Sequence, residues 1–85
     1  MSALTDAARV YVDRELPRDV APRLVRVARG CDGTSVAIVE TSAGEGYGVT
    51  WGADGESSSR RFQSLACAMS RYAETHTVTA WEAAR

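Results

Sequence analysis

The side chains with the most chemical capacity lie in one stretch, "GESSSRRFQSLACAM" at 55–69. Ser57, Ser58 and Ser59 run directly into Arg60 and Arg61, and the residues that follow repeat with the apolar period of a helix. Placed in the first turn of that helix, free backbone N–H groups, three hydroxyls and two guanidinium forks converge on one spot. Such a combination suits a phosphate or a carboxylate. It also has a cost, because each cation near the positive end of a helix dipole is unfavourable by about 0.3–1 kcal/mol at low salt. Glu56 lies four residues before Arg60 and Asp54 is nearby, so local neutralisation offers a second account. Surface pairs of this kind contribute about 0–1 kcal/mol, enough to offset the dipole. The formal charge of residues 54–61 sums to zero, which favours neutralisation over an anion site.

No catalytic set stands out elsewhere. All ten basic residues are arginine. The absence of lysine excludes a P-loop lysine, a Schiff-base lysine and a Ser-x-x-Lys pair. His76 is the single histidine, and with two distant cysteines it makes no metal-ligand spacing. It reads as a packed or helix-terminal residue, since a cation is favourable at a helix C-terminus. Cys31 and Cys67 read as two unrelated thiols. "GEGYGV" at 44–49 is glycine-rich but leads into a strand, whereas a dinucleotide loop must open a helix. Tyr47, Trp51, Phe62 and Tyr72 could form a stacking platform for bases but read as core, with Tyr47 and Trp51 on the face of Val49 that is expected to meet the second helix. Trp81 supports two readings, an exposed interface anchor or a cover for the core edge.

These groups must be positioned by a small scaffold. Eighty-five residues make a single domain, 1–85, with one modest core and little room for an enclosed active site. The formal charge of −1 gives no basic stripe for bulk binding to nucleic acid. The longest aliphatic run, "VAIV" at 36–39, is far short of a membrane span. The first residues lack the basic and apolar regions of a signal peptide, so a cytoplasmic location is expected.

Apolar periodicity predicts a helix over 2–16, with Ser2 or Thr5 as cap and Leu4, Ala8, Tyr11, Val12 and Leu16 on one stripe. Pro17 ends it. The period then changes to two. "LVRVARG", "TSVAIVET" and "GYGVTWG" read as strands separated by the turns "GCDGT" and "SAGEG", with "ADGE" as a further turn. Both faces of "TSVAIVET" are apolar, which suggests a central strand. The second helix is expected from about Ser58 to Glu74, and the tail "THTVTAW" alternates as a candidate final strand. The expected class is α+β: a two-layer domain of order α-β-β-β-α, with a three- to four-stranded antiparallel sheet and two helices on one face.

"GESSSRRFQSLACAM" and this order of elements resemble the double-stranded RNA-binding domain. That family opens its second helix with a serine and a pair of lysines that contact phosphates, and Ser59, Arg60 and Arg61 occupy the matching positions. The departures are Gln63 and Ser64 after the basic pair and a short acidic first hairpin. In size and build the chain also resembles small phage-encoded inhibitors of bacterial defence, the anti-CRISPR proteins, a likeness of kind only. The leading expectation is therefore a non-enzymatic protein-binding module, an inhibitor of that type. Its candidate contacts are Asp6, Asp13, Glu40, Glu45, Asp54, Glu56 and Trp81, acids that could complement an arginine-lined channel. The alternative is a nucleic-acid-binding module that uses Arg60 and Arg61. No cofactor, metal or membrane is implied, and a homodimer through an open sheet edge is the remaining possibility.

Overall fold

Three loops with one design organise the chain. They join β1 (Arg23–Arg29), β2 (Ser35–Glu40), β3 (Gly46–Trp51) and β4 (Ser57–Phe62) into a meander in the computed structural model, which describes residues 2–84. In each loop the backbone closes with two hydrogen bonds of the same kind. Gly30, Thr41 and Gly52 donate to the carbonyls of Thr34, Glu45 and Glu56 at 2.8, 3.0 and 3.1 Å. Gly33, Gly44 and Gly55 donate back to Gly30, Thr41 and Gly52 at 3.1, 2.9 and 3.1 Å. The closing glycines have φ of 89°, 81° and 82°, the left-handed region that a side chain disfavours. Asp32 and Asp54 reinforce the first and third loops by accepting the N–H two residues on, at 2.9 and 3.1 Å.

All pairings are antiparallel, and the sheet order is β4-β3-β2-β1-β5. β5 is the short segment Glu82–Ala83 set against Arg26 and Val27. A final strand is therefore present, but after the alternating "THTVTAW" rather than within it. β2 occupies the centre, as its two apolar faces require.

Helix α1 (Ala3–Glu15) is capped by Ser2, whose hydroxyl accepts the Thr5 N–H at 3.1 Å. A short 3-10 turn at Arg18–Val20 follows Pro17. Helix α2 (Leu65–Thr75) is capped by Ser64, which accepts from Cys67 N–H at 3.2 Å. The second helix thus begins at Leu65, not near Ser58, and the residues 57–62 form a strand instead. Two forces decide this. Serine disfavours a helix interior because its hydroxyl competes for backbone partners. Without a neighbour the outer backbone of β3 would also be left open. β4 supplies that neighbour, with Ser58 opposite Thr50 and their hydroxyls 2.9 Å apart.

The two helices lie on opposite faces of the sheet, so the α+β domain has three layers. One cluster joins Ala8, Val12 and Leu16 of α1 to Val27, Ala37, Val39, Val49 and Trp51. The other joins Ala68 and Tyr72 of α2 to Ala28, Val36, Ile38 and Val78. Along β2 the buried residues go alternately to each cluster, as the period of two demands. The expectation of two helices on one face fails here. Tyr47, Val49 and Trp51 meet α1, not α2, and Tyr11 stacks on Trp51 with centroids 5.1 Å apart. Phe62 and Tyr72 belong to the opposite layer, in an edge contact at 5.4 Å.

Candidate functional site

β4 is one of the two edges of the sheet, and the two-residue β5 is the other. Residues 57–62 pair with β3 on one side and, among the described residues, have no strand on the other. The Gly52–Glu56 bond that closes the hairpin sets the ladder's phase. Pairs alternate between bonded and non-bonded in an antiparallel ladder, so Ser58, Arg60 and Phe62 bond to β3 while Ser57, Ser59 and Arg61 point their N–H and C=O outward. Side chains alternate with the same period. Ser57, Ser59 and Arg61 lie on the α1 face; Ser58, Arg60 and Phe62 lie on the α2 face.

Arg60 and Arg61 therefore sit neither at a helix N-terminus nor on one surface. Strand geometry sends adjacent side chains to opposite faces, which separates the serine–arginine cluster expected from a helical turn. The positions that match the helix-opening basic pair of the RNA-binding resemblance fall on a strand. Nor is Glu56 the acid that neutralises them. Arg61 pairs with Glu45 across the sheet at 2.7 Å, and both side chains are substantially exposed.

Arg60 takes part in a different arrangement. Its guanidinium lies 5.3 Å from the centroid of the Phe62 ring, two residues along the same face. Arg71 and Cys67, from α2, complete a cleft of about 240 Å3 around these two residues. Among the described residues, neither Arg60 nor Arg71 has a carboxylate within ion-pair distance. Beneath the cleft, burial pushes the Tyr72 phenol above its ordinary pKa, while the charges of Arg60 and Arg71 act in the opposite direction. Arg71 and Cys67 carry no site signal in the sequence, where Phe62 reads as core. A helical reading puts Arg60 and Phe62 on different sides, so no sequence signal joins them until β4 is a strand.

The six acids expected to form a contact surface are spread over three places. Asp6 and Asp13 are exposed on α1, Asp54 and Glu56 belong to the β3–β4 loop, and Glu40 and Glu45 flank the β2–β3 loop. Glu40 is held by Arg23 at 3.0 Å, and Glu45 by Arg61. Asp54 and Glu56 line a shallow cleft of about 310 Å3 with Thr50, Ser58 and His76. Trp81 is half-buried against the α2 cluster and serves as a cover for the core edge.

His76 caps the C-terminus of α2 and lies 2.8 Å, through Nδ1, from Asp32 Oδ2. Its carbonyl accepts the Cys31 N–H at 3.1 Å, and its ring stacks on Tyr72 at 5.7 Å. These contacts pin the first hairpin to the end of α2. The hydrogen bond from His76, followed by that from the Thr34 N–H, holds the Asp32 carboxyl below its ordinary value of 3.8. Because the folded value is the lower one, the clasp adds stability above about pH 4 and loses it as pH falls through the lowered value. Asp32→Ala is accordingly expected to leave a shallower acid limb in the pH profile of urea unfolding. An unchanged acid limb would show that the clasp contributes nothing.

Cys31 and Cys67 are both free and exposed. Among the described residues no group of three or more histidine, cysteine, aspartate or glutamate side chains could hold a metal ion, and no helix is long and apolar enough to cross a membrane. Compared with known proteins, the chain matches no family model, no curated protein and no solved structure.

Proposed function

We propose that this chain is a non-enzymatic protein-binding module that joins its partner by adding a strand to the outer edge of β4. The observation that carries this reading is the open backbone of Ser57, Ser59 and Arg61 on an exposed six-residue edge strand. Edges of this length invite pairing, and natural proteins blunt them with charge when pairing is unwanted. Here the charge at Arg61 is offset by Glu45, that at Arg60 is left for an anionic partner, and the first three residues are small serines that a neighbouring strand can approach. Main-chain bonds supply affinity in this mode, and side-chain pockets on alternate residues supply selectivity. Within that class, a small chain with an open edge suits an inhibitor that covers a partner's working surface. That form follows its resemblance in kind to phage-encoded anti-defence proteins.

Proline at Ser59 tests this directly. The Ser59 N–H points away from β3, so Ser59→Pro removes no bond of the sheet but blocks a strand on the outer side. Peptides selected from a random ten-residue library by the wild-type protein should fail to bind Ser59→Pro, whose thermal unfolding should stay close to wild type. In the complex, amide exchange should slow at Ser57, Ser59 and Arg61. Peptides that bind both proteins equally, or protection confined to the helices, would refute the assignment.

A further inference from the structure

We infer that the strand added to β4 is acidic, and that one of its carboxylate side chains sits in the cleft of Arg60, Phe62, Cys67 and Arg71. This rests on the β4-edge reading and specifies the partner's chemistry. An added strand lies about 4.7–4.9 Å from β4, with alternate side chains over the α2 face. A side chain on that face, beside Arg60, is directed at the mouth of the cleft. The cleft offers two guanidiniums from two different elements, Arg60 of β4 and Arg71 of α2, with an aromatic ring as its wall. Among the described residues neither cation has an ion-pair partner, in contrast to Arg23 and Arg61, whose carboxylates are supplied by the chain itself. Guanidinium forks bind carboxylates in two-pronged geometry, and the Phe62 ring holds the Arg60 fork in place ahead of binding. A glutamate on that face extends toward the cleft that both cations line, with its methylenes toward Phe62.

The same charges argue against a second copy of this chain as the occupant. Two β4 strands paired about Ser59 would set the two Arg60 side chains on one diagonal of the α2 face and the two Arg61 side chains on one diagonal of the α1 face, the latter with Glu45 and Glu15 near them. Like charges across neighbouring strands are unfavourable.

The probes are two ten-residue capped peptides, one alternating threonine with glutamate and the other threonine with glutamine. Their binding is measured by fluorescence anisotropy to the wild-type protein and to Arg60→Gln, Arg71→Gln, Arg18→Gln and Ser59→Pro. The glutamate peptide should bind wild type about threefold to tenfold more tightly than the glutamine peptide, as expected for one or two exposed ion pairs. That advantage should vanish in Arg60→Gln and Arg71→Gln and persist in Arg18→Gln, which removes a charge on the 3-10 turn. Ser59→Pro should abolish binding of both peptides. Equal affinity for the two peptides, with Ser59→Pro still blocking both, overturns the acidic strand but leaves the β4 edge standing. Binding of either peptide undiminished by Ser59→Pro overturns the edge itself. Tighter binding of duplex RNA or DNA than of the glutamate peptide, lost in Arg60→Gln and Arg71→Gln, overturns the proposal by giving the cleft to phosphate. Concentration-dependent self-association abolished by Ser59→Pro overturns it in favour of a second copy.

Discussion

Alanine at Ile38 and alanine at Val39 are each expected to destabilise the protein severely, although the two residues are neighbours on one strand. Both are fully buried, Ile38 under α2 and Val39 under α1. Removing buried methyl and methylene groups from a core that cannot collapse costs about 2–5 kcal/mol for Ile→Ala, and about 2 kcal/mol is expected for the smaller Val→Ala. A chain of this length has roughly 4–13 kcal/mol of total stability, so either change consumes a large share. The pair is informative because a two-layer sheet would expose one of them. In that arrangement one substitution would be nearly silent. Urea unfolding of both variants distinguishes the cases, and a cost below about 0.5 kcal/mol for either one contradicts a helix on both faces.

Gly48→Ala should be comparably damaging, for the opposite reason. Gly48 is buried in β3 opposite Ile38, and a Cβ built there would overlap the ring and hydroxyl of Tyr72. The strand has no spare room, because Tyr72 of α2 packs directly on its backbone. Overpacking typically costs about 1–3 kcal/mol. If the ring is driven out of the α2 layer, the cost moves toward the 3–5 kcal/mol of losing a large aromatic side chain. Displacing Tyr72 would also disturb its edge contact with Phe62 and its stacking on His76. The double variant provides the decisive comparison. In a Tyr72→Ala background, Gly48→Ala should cost little, since the ring it would strike is gone. A coupling of about 1–3 kcal/mol between the two sites is therefore expected from denaturation of the four proteins. Additive effects would show that α2 does not rest on Gly48.

The glycine at this position was visible in "GYGVTWG", but its role was not. A glycine inside a strand pattern marks a bulge or a close approach, without saying what approaches. That partner comes from α2, more than twenty residues later in the chain. The second helix itself was legible from Leu65 onward, because Leu65, Met69 and Tyr72 keep the helical spacing. Its start was misplaced by the serines and arginines before it, whose pattern carries no apolar alternation. A better signal existed. "GADGE" has the composition of the two preceding turns, "GCDGT" and "TSAGE", and each of those leads into a strand. Repeating that design a third time implies a fourth strand.

The sheet's two-sided burial was also written in β2, where Val36 and Ile38 alternate with Ala37 and Val39. Apolar residues on both faces call for a cover on each, and two helices are available to supply it. The single-face arrangement conflicts with that pattern, and the structure resolves the conflict in favour of burial.

Local interactions determined much of this protein from the sequence alone. The α1 cap at Ser2, the stop at Pro17, the three glycine-closed turns and the central position of β2 all arise from residues close together in the chain. So does the placing of His76 at a helix end. Tertiary structure alone decided the candidate site. β4 is a strand because the outer backbone of β3 needs partners, and that demand is invisible to a propensity read along the chain. Once β4 is extended, a period of two replaces the helical period. Arg61 then turns to Glu45 on one face, and Arg60 turns to Phe62, Cys67 and Arg71 on the other. Two arginines adjacent in the sequence are separated by the pleat of a single strand.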